Sequence, residues 1–207
     1  MNSTGIVAAL VALVVGALGG YVIGQGQNKS STTGSEMVAA TAAVKSTPLP
    51  KTDADKIANA ISAAPADIAK DASVLDWPET ATGTPREIHK GTNEWTCLPD
   101  TPTTPGNDPI CADNMAMQWF QAYLGHTTPK IAQAGIAYML QGGSDPSNTD
   151  PYATEPKSGE SWMNAPAHVM VFPSGKLDTK VYGTAMNGGP WIMWAGTPYE
   201  HLMVPVM

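Results

Sequence analysis

Apolar residues recur along this chain in two rhythms, one helical and one alternating, separated by polar stretches rich in proline and glycine. Between residues 53 and 72, Ile57, Ala58, Ile61, Ala64 and Ile68 follow a helical spacing, and Thr52 or Asp53 can cap the run. Pro65 lacks an amide hydrogen, so the pattern predicts one kinked helix or two short ones. Val74, Leu75 and Trp77 then open the compact part of the chain, and Pro78 closes that segment. Residues 112–124 predict a further helix, with Met115, Trp119, Ala122 and Tyr123 on one face and Gly125 at its end. Short extended runs bounded by turn residues predict strands at 87–90, 94–98, 135–140, 167–172, 191–195 and 200–204. Residues 142–160 read as a long polar loop. Strands with few interleaved helices predict an α+β fold with a mostly antiparallel sheet and one or two packed helices. No repeat of fixed period is visible.

The N-terminus has a different pattern. Residues 6–24 carry no charge and are long enough to cross a bilayer, which takes about 20 residues. No Lys or Arg precedes them, and Gly24-Gln25-Gly26 offers a small-x-small cleavage site. Residues 1–24 therefore read as a transmembrane anchor or a cleaved signal segment. Ala8, Ala12, Gly16, Gly20 and Gly24 fall on one helical face, a spacing that lets two helix backbones approach closely. An anchor of this kind would associate with itself or with another membrane protein. Residues 25–52, rich in Ser, Thr, Ala and Gly, read as a flexible linker. Residues 53–207 then form the exported domain.

Composition narrows the partners. The chain of 207 residues carries 11 Lys+Arg against 18 Asp+Glu, a formal net charge of -7, and no basic run. That balance excludes nucleic acid, which needs clustered cations. The two cysteines, Cys97 and Cys111, flank a window holding four prolines. They read as a structural disulfide in an oxidising compartment, the alternative being two buried thiols. With an anchor, this puts the domain in the periplasm or outside the cell; with a cleaved signal, the domain is secreted.

Several strings also resemble an uncharacterised family of small exported bacterial proteins. They are Trp95-Thr-Cys97-Leu-Pro-Asp, Pro105-Gly-Asn-Asp-Pro, Tyr138-Met-Leu-Gln-Gly-Gly-Ser-Asp145, His168-Val-Met and Trp194-Ala-Gly-Thr-Pro-Tyr-Glu-His-Leu-Met203. The resemblance spans roughly residues 55–207. It implies export and a single compact domain, and it brings no activity, ligand or fold.

Candidate chemistry begins with methionine, present 11 times. Two predicted strands carry a His-x-Met pattern, His168-Val169-Met170 and His201-Leu202-Met203. Residues two apart in a strand share a face, so each His projects beside its Met. If the strands pair, His168, Met170, His201 and Met203 form a candidate set for copper, above all Cu(I), with Trp191 and Trp194 as a shield. Ordinary packing is the competing explanation, since methionine fills irregular cores well. In the polar loop, Asp145, Asn148 and Asp150 offer oxygen ligands for calcium, without the helix-loop-helix spacing; local Asx-turns explain them equally well. His89, His126, His168 and His201, with Asp113, Asp145, Asp150 or Glu200, are the acid–base candidates, and no nucleophile elbow, zinc-protease or phosphate-loop motif accompanies them. The reading that follows is a membrane-tethered accessory or binding domain, non-catalytic, with a soft-metal protein as the first alternative and a hydrolase as the second.

Overall fold

The computed structural model describes residues 48–79 and 83–206. The anchor predicted over residues 6–24, with Gly16, Gly20 and Gly24, and almost all of the linker lie outside the described residues. Among the described residues no helix is long and apolar enough to cross a membrane.

Pro65 divides the first helical run as its missing amide requires. α1 spans Asp53–Ile61 and α2 spans Ala66–Ala69. Thr52 caps α1: its Oγ1 accepts from the Asp55 amide at 3.1 Å, and the Asp55 carboxylate accepts the Thr52 amide at 3.2 Å. Strands β1 (Ser73–Asp76), β2 (Arg86–His89), β3 (Thr96–Leu98) and β4 (Ile110–Ala112) follow, then helix α3 (Asn114–Leu124). Next come β5 (Gly135–Met139), β6 (Gly143–Asp145), β7 (Met163–Ala165) and β8 (His168–Phe172). Helix α4 (Thr179–Tyr182), β9 (Trp191–Met193) and β10 (His201–Pro205) complete the domain.

Eight strands form one sheet in the order β2-β1-β3-β4-β5-β8-β10-β9. Every neighbouring pair is antiparallel except β1 and β3. The fold is a compact domain with a mostly antiparallel sheet and few helices, as the spacing of its strands suggests. The polar stretch departs from expectation. Gly143–Asp145 pairs with Met163–Ala165 as a separate two-stranded ribbon, where the sequence reads as loop. The strand of Trp191 follows β8 in sequence but lies beyond β10 in space.

The sheet carries a core on each face. On one side, Ala60, Ala63, Ala64, Ala69 and Ala72 pack with Val74 and with Cys97 and Cys111, which are joined in a disulfide. Small side chains let α1 and α2 lie close to the sheet. The two cysteines face each other across β3 and β4. Bridging them closes a loop of about 15 residues, worth on the order of 3 kcal/mol in the chain-entropy account.

On the other side lies α3. Its buried stripe is Ala116, Met117 and Trp119, with Phe120, Tyr123 and Leu124 packed alongside, so the helix is turned slightly from the Met115-centred face that the spacing suggests. Gly135 makes the close approach possible, because a Cβ there would stand 2.4 Å from the Ala116 nitrogen. Asp113 locks the arrangement. One carboxylate oxygen accepts the Ala116 amide at 2.7 Å, and the other accepts the Ile136 amide at 2.9 Å. The same side chain thus caps α3 and holds it to β5. Asp113→Ala is expected to cost about 1–2 kcal/mol, the usual loss for an N-cap, read as a lower midpoint in urea unfolding.

Candidate functional site

The α3 face of the sheet is built from alternate residues of β5, β8, β10 and β9. In β8, His168, Met170 and Phe172 are buried while Val169 and Val171 are half-buried. In β10, His201 and Met203 are buried while Leu202 and Val204 are half-buried. The two His-x-Met strands are direct neighbours, with Met203 opposite Met170. All four sequence candidates therefore project from the same face.

The register keeps the two imidazoles apart. The strands run antiparallel, so His168 stands opposite Pro205, beyond one side of the Met170–Met203 pair, and His201 lies beyond the other. His168 is also opposite Met139 of β5, and His201 is opposite Met193 of β9.

Both histidines repeat one local arrangement. Nδ1 of His168 donates to the carbonyl of Pro166 at 2.7 Å, and Nδ1 of His201 donates to the carbonyl of Tyr199 at 3.0 Å. Each ring is thereby held as the tautomer whose Nε2 carries a lone pair. Burial keeps both neutral. It lowers the pKa of His168 below the ordinary value, and that of His201 to about 4.

Beyond that likeness their surroundings diverge. His201 is enclosed by rings: Trp194 at 5.0 Å, Phe172 at 5.3 Å and Trp119 at 5.4 Å between centroids. His168 is 1% exposed, and its Nε2 is buried with no hydrogen-bond partner. A buried nitrogen lone pair without a donor forgoes a hydrogen bond, which costs stability.

The cavity beside these residues has a volume of about 170 Å³. Its walls include His168, His201 and five thioethers, those of Met139, Met163, Met170, Met193 and Met203. The β6–β7 ribbon supplies Gly143, Ser144, Asp145, Met163 and Ala165. Gly143 leaves room for this packing: a Cβ there would stand 2.9 Å from Cε of Met139 and 3.6 Å from Cε1 of His168. Asp145 also lines the cavity, and desolvation pushes its carboxyl up to about 6.

Trp194 forms one end of the cavity in an uncommon backbone state, with φ of 53°. Several hydrogen bonds hold it there. Its amide donates to the Asn148 carbonyl at 2.9 Å, its indole N–H donates to the Ser147 carbonyl at 2.9 Å, and its carbonyl accepts from Thr197. Surroundings that over-determine a strained residue fix its position closely.

The oxygen-rich candidates in the loop are used locally. Asp145 accepts the Ser147 amide at 2.8 Å, and Asp150 accepts the Tyr152 amide at 3.0 Å, both Asx-turns. Asn148 donates to the Thr184 carbonyl and accepts from the Trp191 indole. Among the acid–base candidates, His89 and His126 are exposed, and Glu200 accepts the amides of Leu177 and Gly196. Among the described residues no group of three or more His, Cys, Asp or Glu side chains is placed to hold a metal ion.

Met139, Met163 and Met193 escape a reading of adjacent motifs, because they reach the cavity from other strands. The alternation in β5 would flag Met139 as sharing a face with Gly135 and Ala137. Only the strand pairing brings it opposite His168. Comparison with known proteins finds no matching family model, no matching curated protein and no matching solved structure, so the arrangement must be read from its own residues.

Proposed function

We propose that this domain is an exported, non-catalytic binding module whose cavity holds a soft monovalent metal ion, Cu(I). His168 Nε2 and the thioethers of Met139, Met170 and Met203 are its ligands. The observation that carries the reading is the buried, unpartnered Nε2 of His168 at the wall of a cavity lined by thioethers. Imidazole and thioether are the donors that a soft, weakly hydrated ion prefers, and carboxylate-loving Mg²⁺ or Ca²⁺ does not. The Pro166 carbonyl does for His168 what outer partners do for metal-bound histidines in general: it fixes the tautomer and aims the free nitrogen. Methionine side chains are flexible enough to close around an ion without moving the sheet.

His201 takes a supporting role in this reading. Its ring fills the aromatic core beside the cavity rather than standing next to His168, a consequence of the antiparallel register. Of the four candidates in the two His-x-Met strings, the proposed set keeps His168, Met170 and Met203 and adds Met139.

The test is a Cu(I) titration of the purified protein against a chromogenic chelator, under reducing, oxygen-free conditions. The expected result is one Cu(I) per chain, with affinity lowered about a hundredfold or more in His168→Ala, the upper end of what losing an outer-shell partner alone would cause. Retention of no Cu(I) by the wild-type protein sinks the reading. A membrane-tethered accessory role is the wider frame for such a module. It predicts co-purification with a membrane partner that is lost when Gly16 and Gly20 are replaced by Leu.

A further inference from the structure

A file of stacked aromatic rings runs from the cavity to the protein surface. Trp194 lines the cavity and is 7% exposed. Tyr123 stacks on it at 5.2 Å with an interplanar angle of 23°. Tyr152 stacks on Tyr123 at 5.6 Å and 7°, and His126 covers the outer face of Tyr152 at 4.2 Å and 7°. Trp119, also at the cavity wall, stacks on both Trp194 and Tyr123. Exposure rises along the file, from buried Trp194 through half-buried Tyr123 to Tyr152, which is 40% exposed.

We propose that Trp194, Tyr123 and Tyr152 conduct one-electron oxidising equivalents out of the cavity to solvent, and so protect the thioethers of Met139, Met170 and Met203. Thioethers are the vulnerable groups there, since oxidation to the sulfoxide turns an apolar side chain polar and disrupts the packing around it. Indole and phenol rings give up single electrons readily, and electron tunnelling falls off steeply with distance. Rings in van der Waals contact therefore pass an electron vacancy faster than it can react with a neighbouring sulfur.

Proton chemistry sets the direction. A phenol that loses an electron must also lose its proton. The Tyr123 hydroxyl is mostly buried and donates to the Pro151 carbonyl at 2.5 Å, a poor proton acceptor. The Tyr152 hydroxyl makes a long bond, 3.5 Å to the Tyr123 carbonyl, on an exposed ring, so its proton can pass to solvent and the vacancy comes to rest there.

A one-electron oxidant of the hydroxyl-radical class takes an electron from the Trp194 ring and becomes hydroxide. An electron moves from Tyr152 through Tyr123 to restore Trp194. The Tyr152 O–H bond breaks, its proton combines with hydroxide as water, and a tyrosyl radical remains at the surface. There a small thiol returns a hydrogen atom and becomes the thiyl radical. The route operates without a bound metal ion.

Pulse radiolysis of the metal-free, full-length protein with azide radical, which oxidises tryptophan selectively, tests it. In the wild type the indolyl radical band should convert to the phenoxyl band in a first-order process independent of protein concentration. Tyr152→Phe should lose most of the phenoxyl amplitude, and Tyr123→Phe should slow the conversion severalfold. Circular dichroism must show both variants folded; each keeps its ring and loses only a hydroxyl. Phenoxyl formation unchanged in both variants overturns the route. The second readout is peptide mapping after exposure to peroxide and ferrous iron. Tyr152→Phe should show more sulfoxide at Met139, Met170 and Met203 than the wild type, and equal sulfoxide overturns the protective role.

Discussion

Trp119→Ala should be the most damaging single truncation in this domain, lowering stability by about 3–5 kcal/mol, the range for deleting a large buried aromatic. Trp119 is 2% exposed and is the point at which α3 enters the sheet. Its ring meets Phe172 at 4.5 Å, His201 at 5.4 Å, Tyr199 at 6.0 Å and Trp194 at 6.3 Å. Truncation removes the apolar area of the indole and leaves a void bordering the existing cavity. The aromatic neighbours cannot all collapse into it, because Trp194 and His201 are tied by hydrogen bonds to the Ser147 and Tyr199 carbonyls. Equilibrium unfolding in guanidinium chloride measures the loss. A drop below about 1 kcal/mol would mean that α3 is not packed on this face as described. Trp162→Ala, which removes a half-buried indole, provides the comparison.

The contrast between Trp119 and the histidines shows how far the chain can be read before its structure is known. Helical spacing is enough to recognise α3 and to place Trp119 on its buried side. Two-residue alternation is enough to put His168 with Met170, and His201 with Met203, on one face of their strands. Both rules concern neighbours along one element. Which residue of β10 stands opposite Met170 is decided by the pairing of whole strands, and a shift of two residues would preserve every alternation while changing every partner. With Met203 opposite Met170, the antiparallel register carries the two imidazoles to opposite sides of that pair, an outcome that the matching strings conceal.

The same limit explains the remaining cavity wall. Met139 ends a strand that is legible from its apolar run, yet its position beside His168 depends on β5 pairing with β8. The Gly143–Asp145 strand has the composition of a turn and becomes extended only because Met163–Ala165 supplies its hydrogen-bonding edge. Asp145 is thereby carried from a polar loop into the cavity wall. Its raised pKa is a property of that placement and has no signature in the residues around it.

Removing the charge of Asp145 should stabilise the apo protein near neutral pH and make it more sensitive to acid. Asp145 titrates at about 6 in the fold against an ordinary 3.8, chiefly because burial disfavours its carboxylate. Between those values the folded state binds the extra proton, so this group adds stability as pH falls through 6, and the gain is complete below 3.8. The histidines act in the opposite sense. His201 titrates at about 4 against an ordinary 6.5, so the unfolded chain binds the extra proton and stability is lost as pH falls from 6.5 toward 4. His168, also lowered by burial, contributes with the same sign. In the wild type the carboxyl offsets much of the histidine loss. Asp145→Asn retains the oxygen that accepts the Ser147 amide and removes only the titration. At about 1.4 kcal/mol per pKa unit, reduced for the water that reaches a half-buried group, the variant should gain about 2–3 kcal/mol at pH near 7.5. Near pH 4 it should match the wild type, so its decline with acid is steeper by that amount. Urea unfolding of both proteins at the two pH values gives the comparison directly. Parallel stability curves would show that Asp145 keeps an ordinary pKa and that the cavity is wetter than its lining implies; converging curves would establish that burial holds this carboxyl well above its ordinary range, against the opposite acid dependence that the histidines impose on both proteins.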